Sequence, residues 1–375
     1  AIGLKKWVLH HQSPAGLGLN STRKCGRTFN QPLQFADMIC IPNANFLVVL
    51  GQAMVKAFAP GKCILFGEHA VVYGHPAVAV AIDSGVEVEL IESDAWTIEG
   101  MPFQSEKHPH LSHILEDVFN YDGKPLQISI KSDLFSAAGL GSSAALSNAM
   151  GAAVQKLLDS DSKLDVIELA KIGHAAEAKA QFGRASPTDT ATSAMGGCIV
   201  VSGEKVSGTK HVFDSSLDTP EGMRKWSICE VELPADLDAW LVLGFTGIGS
   251  PTGDMVAGVA KLLNDDPSKH KEMDAISKIT HAGLTALGAG NLEAVGMAMN
   301  ACHEKLQSLE VSSRELDALV EAVLPHSLGA KLTGAGGGGC MVSLTEQPQR
   351  VAEAIEVAGG TPLISRLGAK GVRIV

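Results

Sequence analysis

Three stretches of the chain collect residue types able to do chemistry. The first runs from Pro60-Gly61-Lys62 to Gly67-Glu68-His69-Ala70-Val71-Val72-Tyr73-Gly74, and sets a lysine, a glutamate and a histidine in a glycine-punctuated, otherwise apolar segment. Polar groups placed like that need partners unless they are simply solvated loop charges. The second is Ser136-Ala137-Ala138-Gly139-Leu140-Gly141-Ser142-Ser143-Ala144-Ala145. Its glycines let the backbone approach a ligand, its serines offer hydroxyls, and a helix start presents unpaired N–H groups. Unless the loop is only a tight cap, the ligand favoured there is an anion, above all phosphate. It is not the GxxxxGK[ST] loop, because no lysine follows the second glycine. The third, Lys331-Leu332-Thr333-Gly334-Ala335-Gly336-Gly337-Gly338-Gly339, places five glycines in six positions between strand-forming residues. Ordering them costs backbone entropy, so a close-approach turn lining a ligand site explains the run better than a linker. A single carboxylate, Asp189, sits in the turn-rich stretch Arg184-Ala185-Ser186-Pro187-Thr188-Asp189-Thr190. By itself it reads as a turn residue.

The elements that must position these groups follow from periodicity. Val55 to Pro60 alternates like a strand, Ala77 to Ile82 is a small-apolar run suited to a buried one, and Val86, Val88 and Leu90 alternate with Glu87 and Glu89 as a half-exposed one. A strand at Leu126 to Ile130 leads into the phosphate loop. That loop opens a helix whose apolar positions Leu146, Ala149, Met150, Ala153, Val154, Leu157 and Leu158 recur at three- and four-residue steps. A second helix is predicted over Leu164 to Ala180, opened by Ser162 with Asp165 three residues later, and ending near Gly183. A strand follows at Gly196 to Val201. Strand-like runs at Trp226 to Glu232 and Ala239 to Phe245, with Pro234 between them, mark the passage into a second domain. That domain is helix-rich from Lys269. One helix ends at Gly288-Ala289-Gly290-Asn291, another spans Leu292 to Leu309, and Ser312-Ser313-Arg314-Glu315 is a capping box for a third through Leu324. Strands at Lys331-Leu332, Cys340 to Leu344, Pro362 to Arg366 and Gly371 to Val375, with a helix at Val351 to Val357, complete an α+β sandwich.

Composition excludes several function classes. Hydrophobic residues make up 45% of 375, enough for a sizeable core, and a formal net charge of −11 argues against a nucleic-acid surface. Seven cysteines without CxxC or Cys/His spacing point away from a disulfide framework or a zinc site and toward a reducing, cytoplasmic setting. No apolar run approaches the roughly 18 residues of a membrane span. Residues 1 to 53 differ from the rest, with Lys5, Lys6, Arg23, Lys24 and Arg27 against the single acid Asp37. Met54 reads as the natural start; an authentic but poorly ordered extension and a targeting peptide are the alternatives.

Taken together and in this order, the three stretches resemble the GHMP kinases, which act on galactose, homoserine, mevalonate and phosphomevalonate. The resemblance covers Met54 to Val375. Gly67-Glu68-His69-Ala70 resembles the branch that acts on mevalonate rather than the one that acts on galactose, and Ser186-Pro187-Thr188-Asp189-Thr190 resembles the archaeal variant of that branch. The resemblance implies a two-domain α+β fold, with residues 54–235 and 236–375 flanking the active site in an interdomain cleft. It also implies ATP-dependent phosphorylation of the 5-hydroxyl of mevalonate; phosphomevalonate or another mevalonate hydroxyl is the alternative, and phosphorylated acceptors would demand extra basic residues. A nucleotide-binding member that has lost catalysis is the reading from another class, and the presence of Lys62 and Asp189 argues against it.

The roles it implies are as follows. Ser136, Ala137, Ala138, Gly139, Leu140, Gly141, Ser142, Ser143 and Ala144 would wrap the ATP phosphates. Ser142 or Ser143, with Glu177, would hold Mg²⁺. Asp189 would be the general base or the orienting carboxylate, with Lys62 beside it stabilising the developing charge. Glu68 and His69 would face the acceptor, His69 bonding its carboxylate or hydroxyls unless it is a buried structural donor. Thr252 and Ala335 would be further acceptor contacts. Family members are often homodimers.

Overall fold

The first sheet grows from one long hairpin. In the computed structural model, which describes residues 53–220, 222–234 and 237–375, β1 (Met54–Phe66) pairs antiparallel with β2 (Ala77–Glu92). The separate strands expected at Ala77 to Ile82 and Val86 to Leu90 are one continuous strand. Short β3 (Thr97–Ile98) and β4 (Met101–Pro102) form one edge, followed by α1 (Pro109–Ser112) and then β5 (Leu126–Ser132). Next come α2 (Ser142–Leu158), α3 (Val166–Ala180), α4 (Pro187–Met195), β6 (Cys198–Ser202), and the edge hairpin β7 (Lys210–Thr219) and β8 (Gly222–Glu230).

The second sheet begins with β9 (Trp240–Phe245). After α5 (Thr252–Asp265), α6 (His270–Gly288), α7 (Leu292–Ser308) and α8 (Arg314–Val323), β10 (Gly329–Thr333) and β11 (Cys340–Thr345) add to it, and α9 (Pro348–Val357) and β12 (Thr361–Arg366) finish it. The order is β10-β11-β9-β12, all antiparallel. The last strand, β13 (Arg373–Ile374), does not join this sheet; it pairs with β1 at Ala57 and Phe58.

The first sheet is covered on both faces, which explains its continuous apolar runs. Along β6, Ile199 and Val201 join the core under α2, α3 and α4, whereas Cys198 and Val200 join a second core shared with the second sheet and α6 to α8. Residues 53–375 therefore belong to one compact unit. No described helix is long and apolar enough to cross a membrane. The reading of residues 1 to 53 falls almost wholly outside the described residues, and so does the 235/236 boundary.

Three local expectations change. Asp165, not Ser162, caps α3, accepting from the N–H groups of Ile167 and Glu168, because the Ser162 hydroxyl already donates to the Asp159 carbonyl at 2.8 Å. Ser313, not Ser312, caps α8, since the Ser312 hydroxyl is drawn to Asp317 at 2.5 Å. Leu158, the last residue of α2, is 50% exposed rather than part of the apolar face.

Candidate active site

Lys62 lies where the pairing of β1 with β2 slips, between Pro60 and Lys62. Such a bulge re-aims side chains. Gly61 lets the phosphate loop close on the strand: a Cβ there would stand 2.9 Å from the Leu140 carbonyl oxygen, to which the Lys62 N–H donates at 2.9 Å. The Lys62 side chain is 4% exposed, and its ammonium donates to the Gly139 carbonyl at 2.8 Å and stands 3.1 Å from Asp189 Oδ1.

Asp189 is not in a loop. It is the third residue of α4, whose N-cap Ser186 accepts from the Thr188 N–H at 3.3 Å and whose first position is Pro187. A Ser-Pro pair serves turns and helix starts alike, and here the small residues after it continue the helix. The helix is tied to α2 by Asn148, whose buried side-chain amide donates to the Thr190 carbonyl at 2.9 Å.

Residues 136 to 141 take left-handed backbone at Ala137, Gly139 and Gly141, with φ of 54°, 76° and 74°. Alternation of this kind turns successive N–H groups inward as an anion-binding concavity. Gly141 then caps α2 with no side-chain hydrogen bond, leaving the first N–H groups of the helix open to a ligand.

Glu177, on α3, reaches the same place. It is 6% exposed; Gln181 donates to its Oε2 at 2.5 Å, while its Oε1 is buried without a hydrogen-bond partner, 3.2 Å from His110 Nε2. Burial pushes this carboxyl up, yet His110, Ser143 and Gln181 around it together hold it below the usual carboxylate range. A buried carboxylate beside the Ser143 hydroxyl is the oxygen-donor chemistry a hard cation takes while keeping several waters, so these residues fit Mg²⁺. Among the described residues no cluster of three or more His, Cys, Asp or Glu could hold a metal by itself.

Glu68 borders the cleft and is also tied into the second sheet. It is 1% exposed, and its Oε1 accepts from the ammonium of Lys331, which is fully buried on β10. Burial pushes its carboxyl up, and Lys331 opposes that. His69 is 5% exposed, with Nε2 2.9 Å from the Ala335 carbonyl; burial lowers its pKa. Thr333 adds another tie, accepting from the Ile64 N–H at 2.8 Å and donating to the Ile64 carbonyl at 3.1 Å. The glycine turn itself crosses close to backbone: a Cβ on Gly336 would lie 2.0 Å from the Val311 carbonyl oxygen.

These groups line one cleft of about 570 Å³. Lys62, Glu68, His69, Glu177, Asp189, Thr252, Ala335 and residues 137 to 143 all border it. Two expected residues do not: Ser136 is exposed outside the cleft and Ala144 is fully buried.

Family profiles for the GHMP kinase N-terminal and C-terminal domains match residues 110–197 and 284–360. The mevalonate kinase of Pyrococcus furiosus is 35% identical over 355 residues, spanning 85% of this chain and 98% of its own. This chain belongs to the mevalonate kinase branch of the GHMP kinase family. The mevalonate kinase of Methanothermobacter thermautotrophicus is 35% identical over 297 residues, 77% of this chain and 89% of its own. A crystal structure of the Methanococcus jannaschii mevalonate kinase aligns with a TM-score of 0.68 at 25% identity, covering 87% of this chain and 99% of that one.

In this GHMP kinase the two-domain fold places the site in the cleft between its halves, as the motifs implied. Several site residues carried no assigned role in the sequence. Gln181 follows Glu177 by one helical turn, a spacing that marks it as a partner. Lys331, Asn148 and Ser250, whose hydroxyl donates to the Gly336 carbonyl at 2.7 Å, act across the fold and leave no local signal.

Proposed function

We propose that the chain transfers the γ-phosphoryl group of ATP to the 5-hydroxyl of mevalonate. The observation that carries this reading is the ion pair of Lys62 with Asp189 at the mouth of the phosphate loop. In the proposal the hydroxyl oxygen of mevalonate attacks the γ-phosphorus, the bond to ADP breaks, and Asp189 orients the hydroxyl or takes its proton. Phosphoryl transfer asks mainly for positioning and charge stabilisation. Lys62 supplies a cation between the loop carbonyl and the carboxylate. Residues 137 to 143 cradle the phosphates through backbone N–H groups. Glu177 with Ser142 or Ser143 would hold Mg²⁺, which when bound neutralises charge on the β- and γ-phosphates. His69, Thr252 and Ala335 border the acceptor side, with Glu68 acting from behind.

Among the described residues lining the cleft, the basic side chains are Lys62 and His69, and both are engaged within the protein. This supports an unphosphorylated acceptor over phosphomevalonate. The reading includes a division into residues 54–235 and 236–375 and, carried from the family resemblance, a homodimer. Buried free thiols at Cys63, Cys198, Cys229, Cys302 and Cys340 support a reducing, cytoplasmic setting.

The test offers Mg·ATP with mevalonate, phosphomevalonate, homoserine and galactose in turn, follows ADP release and locates the new phosphate by phosphorus NMR. Turnover of mevalonate with phosphate on its 5-hydroxyl is expected. Turnover of a different acceptor alone, or phosphate on another oxygen, overturns the assignment.

A further inference from the structure

One strained residue bordering the cleft is His69. Its backbone has φ 61° and ψ −45°, a sparsely populated conformation for a residue with a Cβ. Such an outlier persists only where its surroundings over-determine it, and it marks places where geometry serves a function. Here the surroundings are identifiable. Gly67 just before it has φ 93° and packs so tightly on Pro76 and Ala77 that a Cβ would stand 2.2 Å from the Pro76 carbonyl oxygen. The Val72 N–H donates to the His69 carbonyl at 3.0 Å. Between the two lies Glu68, held by Lys331.

Lys331 belongs to the second sheet and Glu68 to the turn after β1, so their pair joins the two halves directly beneath the cleft. The ammonium also donates to the Leu332 carbonyl at 2.5 Å, and the second carboxylate oxygen of Glu68 stands 3.9 Å from the Cys302 thiol. A buried ion pair is a poor source of stability, because desolvation offsets most of its attraction; its attested use is to fix one arrangement among several. Three ties therefore run side by side from the first motif to the third: Ile64 to Thr333, Glu68 to Lys331, and His69 to Ala335.

We infer that Lys331 is a positioning residue for the acceptor side of the cleft, its pair with Glu68 holding the Gly67–His69 turn so that His69 keeps Nε2–H on the Ala335 carbonyl. The chemistry of the ring then fixes its polarity. A carbonyl only accepts, so Nε2 carries the proton, and the remaining ring nitrogen, Nδ1, is an acceptor. Burial and the nearby Lys331 charge both favour the neutral ring. His69 can therefore receive a hydrogen bond from an acceptor hydroxyl, whereas a substrate carboxylate would meet a lone pair. Lys331 thus biases the site toward an alcohol at this position without touching it. This rests on the kinase reading above.

Two measurements on the full chain test it. In the first, Glu68→Gln, Lys331→Met and the double variant are assayed with Mg·ATP and mevalonate, with thermal unfolding in parallel. Each single variant leaves a buried charge without its counter-charge, so lowered thermal stability is expected; the double variant, with no buried charge, recovers most of it. In all folded variants KM for mevalonate is expected to rise about tenfold or more while KM for ATP changes less than about threefold. A double variant with recovered stability and wild-type KM for mevalonate shows a structural pair only and overturns the inference. In the second, long-range ¹H–¹⁵N spectra of the wild-type protein, with His69 assigned by its loss in His69→Gln, are expected to show the neutral Nε2–H tautomer. An Nδ1–H or doubly protonated ring at neutral pH overturns it independently of any variant's folding. Failure of the kinase reading would show differently, as absence of mevalonate turnover in the wild-type protein while His69 still shows this tautomer.

Discussion

Lys62 and Asp189 meet at 3.1 Å although one comes from a bulged strand and the other from the first turn of a short helix. Their meeting point is also where the Gly139 carbonyl accepts from Lys62. The pair is therefore built against the phosphate loop, and its geometry is set by three elements at once.

Asp189→Asn keeps the shape of this arrangement and removes its charge. Turnover is expected to fall by about 10²- to 10⁴-fold, as for loss of a general base. ATP affinity, measured by calorimetry, should stay within about threefold, because the loop is untouched. Near-normal turnover would remove Asp189 from the mechanism.

Gly139 and Gly141 provide a matched pair of substitutions. Both have left-handed backbone, so alanine at either costs about 1–2 kcal/mol in denaturant unfolding. Space separates them: a Cβ at Gly139 meets nothing within 4 Å, whereas one at Gly141 stands 3.2 Å from Lys62 Cγ and 3.4 Å from Asp189 Oδ2. Gly141→Ala is expected to lower kcat about ten- to hundredfold more than Gly139→Ala, since small displacements of reacting groups are costly. Equal kinetics in the two would show that the pair tolerates crowding.

Much of this is legible in the sequence, and each exception has its own physical reason. The phosphate-loop helix, the hairpin ahead of it and the glycine turn all declare themselves locally, through periodicity and backbone demands. Asp189 reads as a loop residue because Ser186-Pro187 has the same chemistry in a turn and at a helix start. The pairing of Glu68 with Lys331 leaves no trace in the sequence, because the two lie far apart along the chain and no spacing rule connects them. The helix α5 carries a helical period of its own, Met255, Val259, Leu262 and Leu263, which pack on the core of the second sheet. The strand β7 has an irregular burial pattern and a register shift between His211 and Phe213, so no clean alternation marks it.

Asn148→Ala removes the donor that ties α2 to α4 and leaves the buried Thr190 carbonyl without it. Urea unfolding should show a loss of about 1–3 kcal/mol. The same change should lower kcat more than it raises KM for ATP, because α4 carries Asp189 whereas the loop precedes Asn148. An unchanged kcat would mean that α4 is held by its other contacts.

His303 gives the stability a pH dependence. Its side chain is 8% exposed, Nδ1 accepts from the Leu332 N–H at 3.3 Å and Nε2 lies 3.3 Å from Asp317. Burial, with the Lys331 charge adding to it, lowers its pKa to about 4. Because the folded protein resists protonation there, the unfolded chain binds the proton first as pH falls below the ordinary histidine value. Stability is therefore full above about pH 6.5 and declines toward pH 4, with a loss of about 2 kcal/mol by pH 5. His303→Gln should flatten that part of the curve in urea titrations at pH 7 and pH 5. A slope unchanged by the substitution would assign it to other groups.

The pairing of β13 with β1 bears on how the protein is made. Ala57 and Phe58 find Ile374 and Arg373 as neighbours, the Arg373 guanidinium lies 4.2 Å over the Phe58 ring, and the Val375 N–H donates to the Lys56 carbonyl at 3.0 Å. During synthesis the ribosome delivers β1 some three hundred residues before β13. Until then one flank of the lysine-bearing strand lacks its seam, and the nascent chain must shelter that border before the architecture can close.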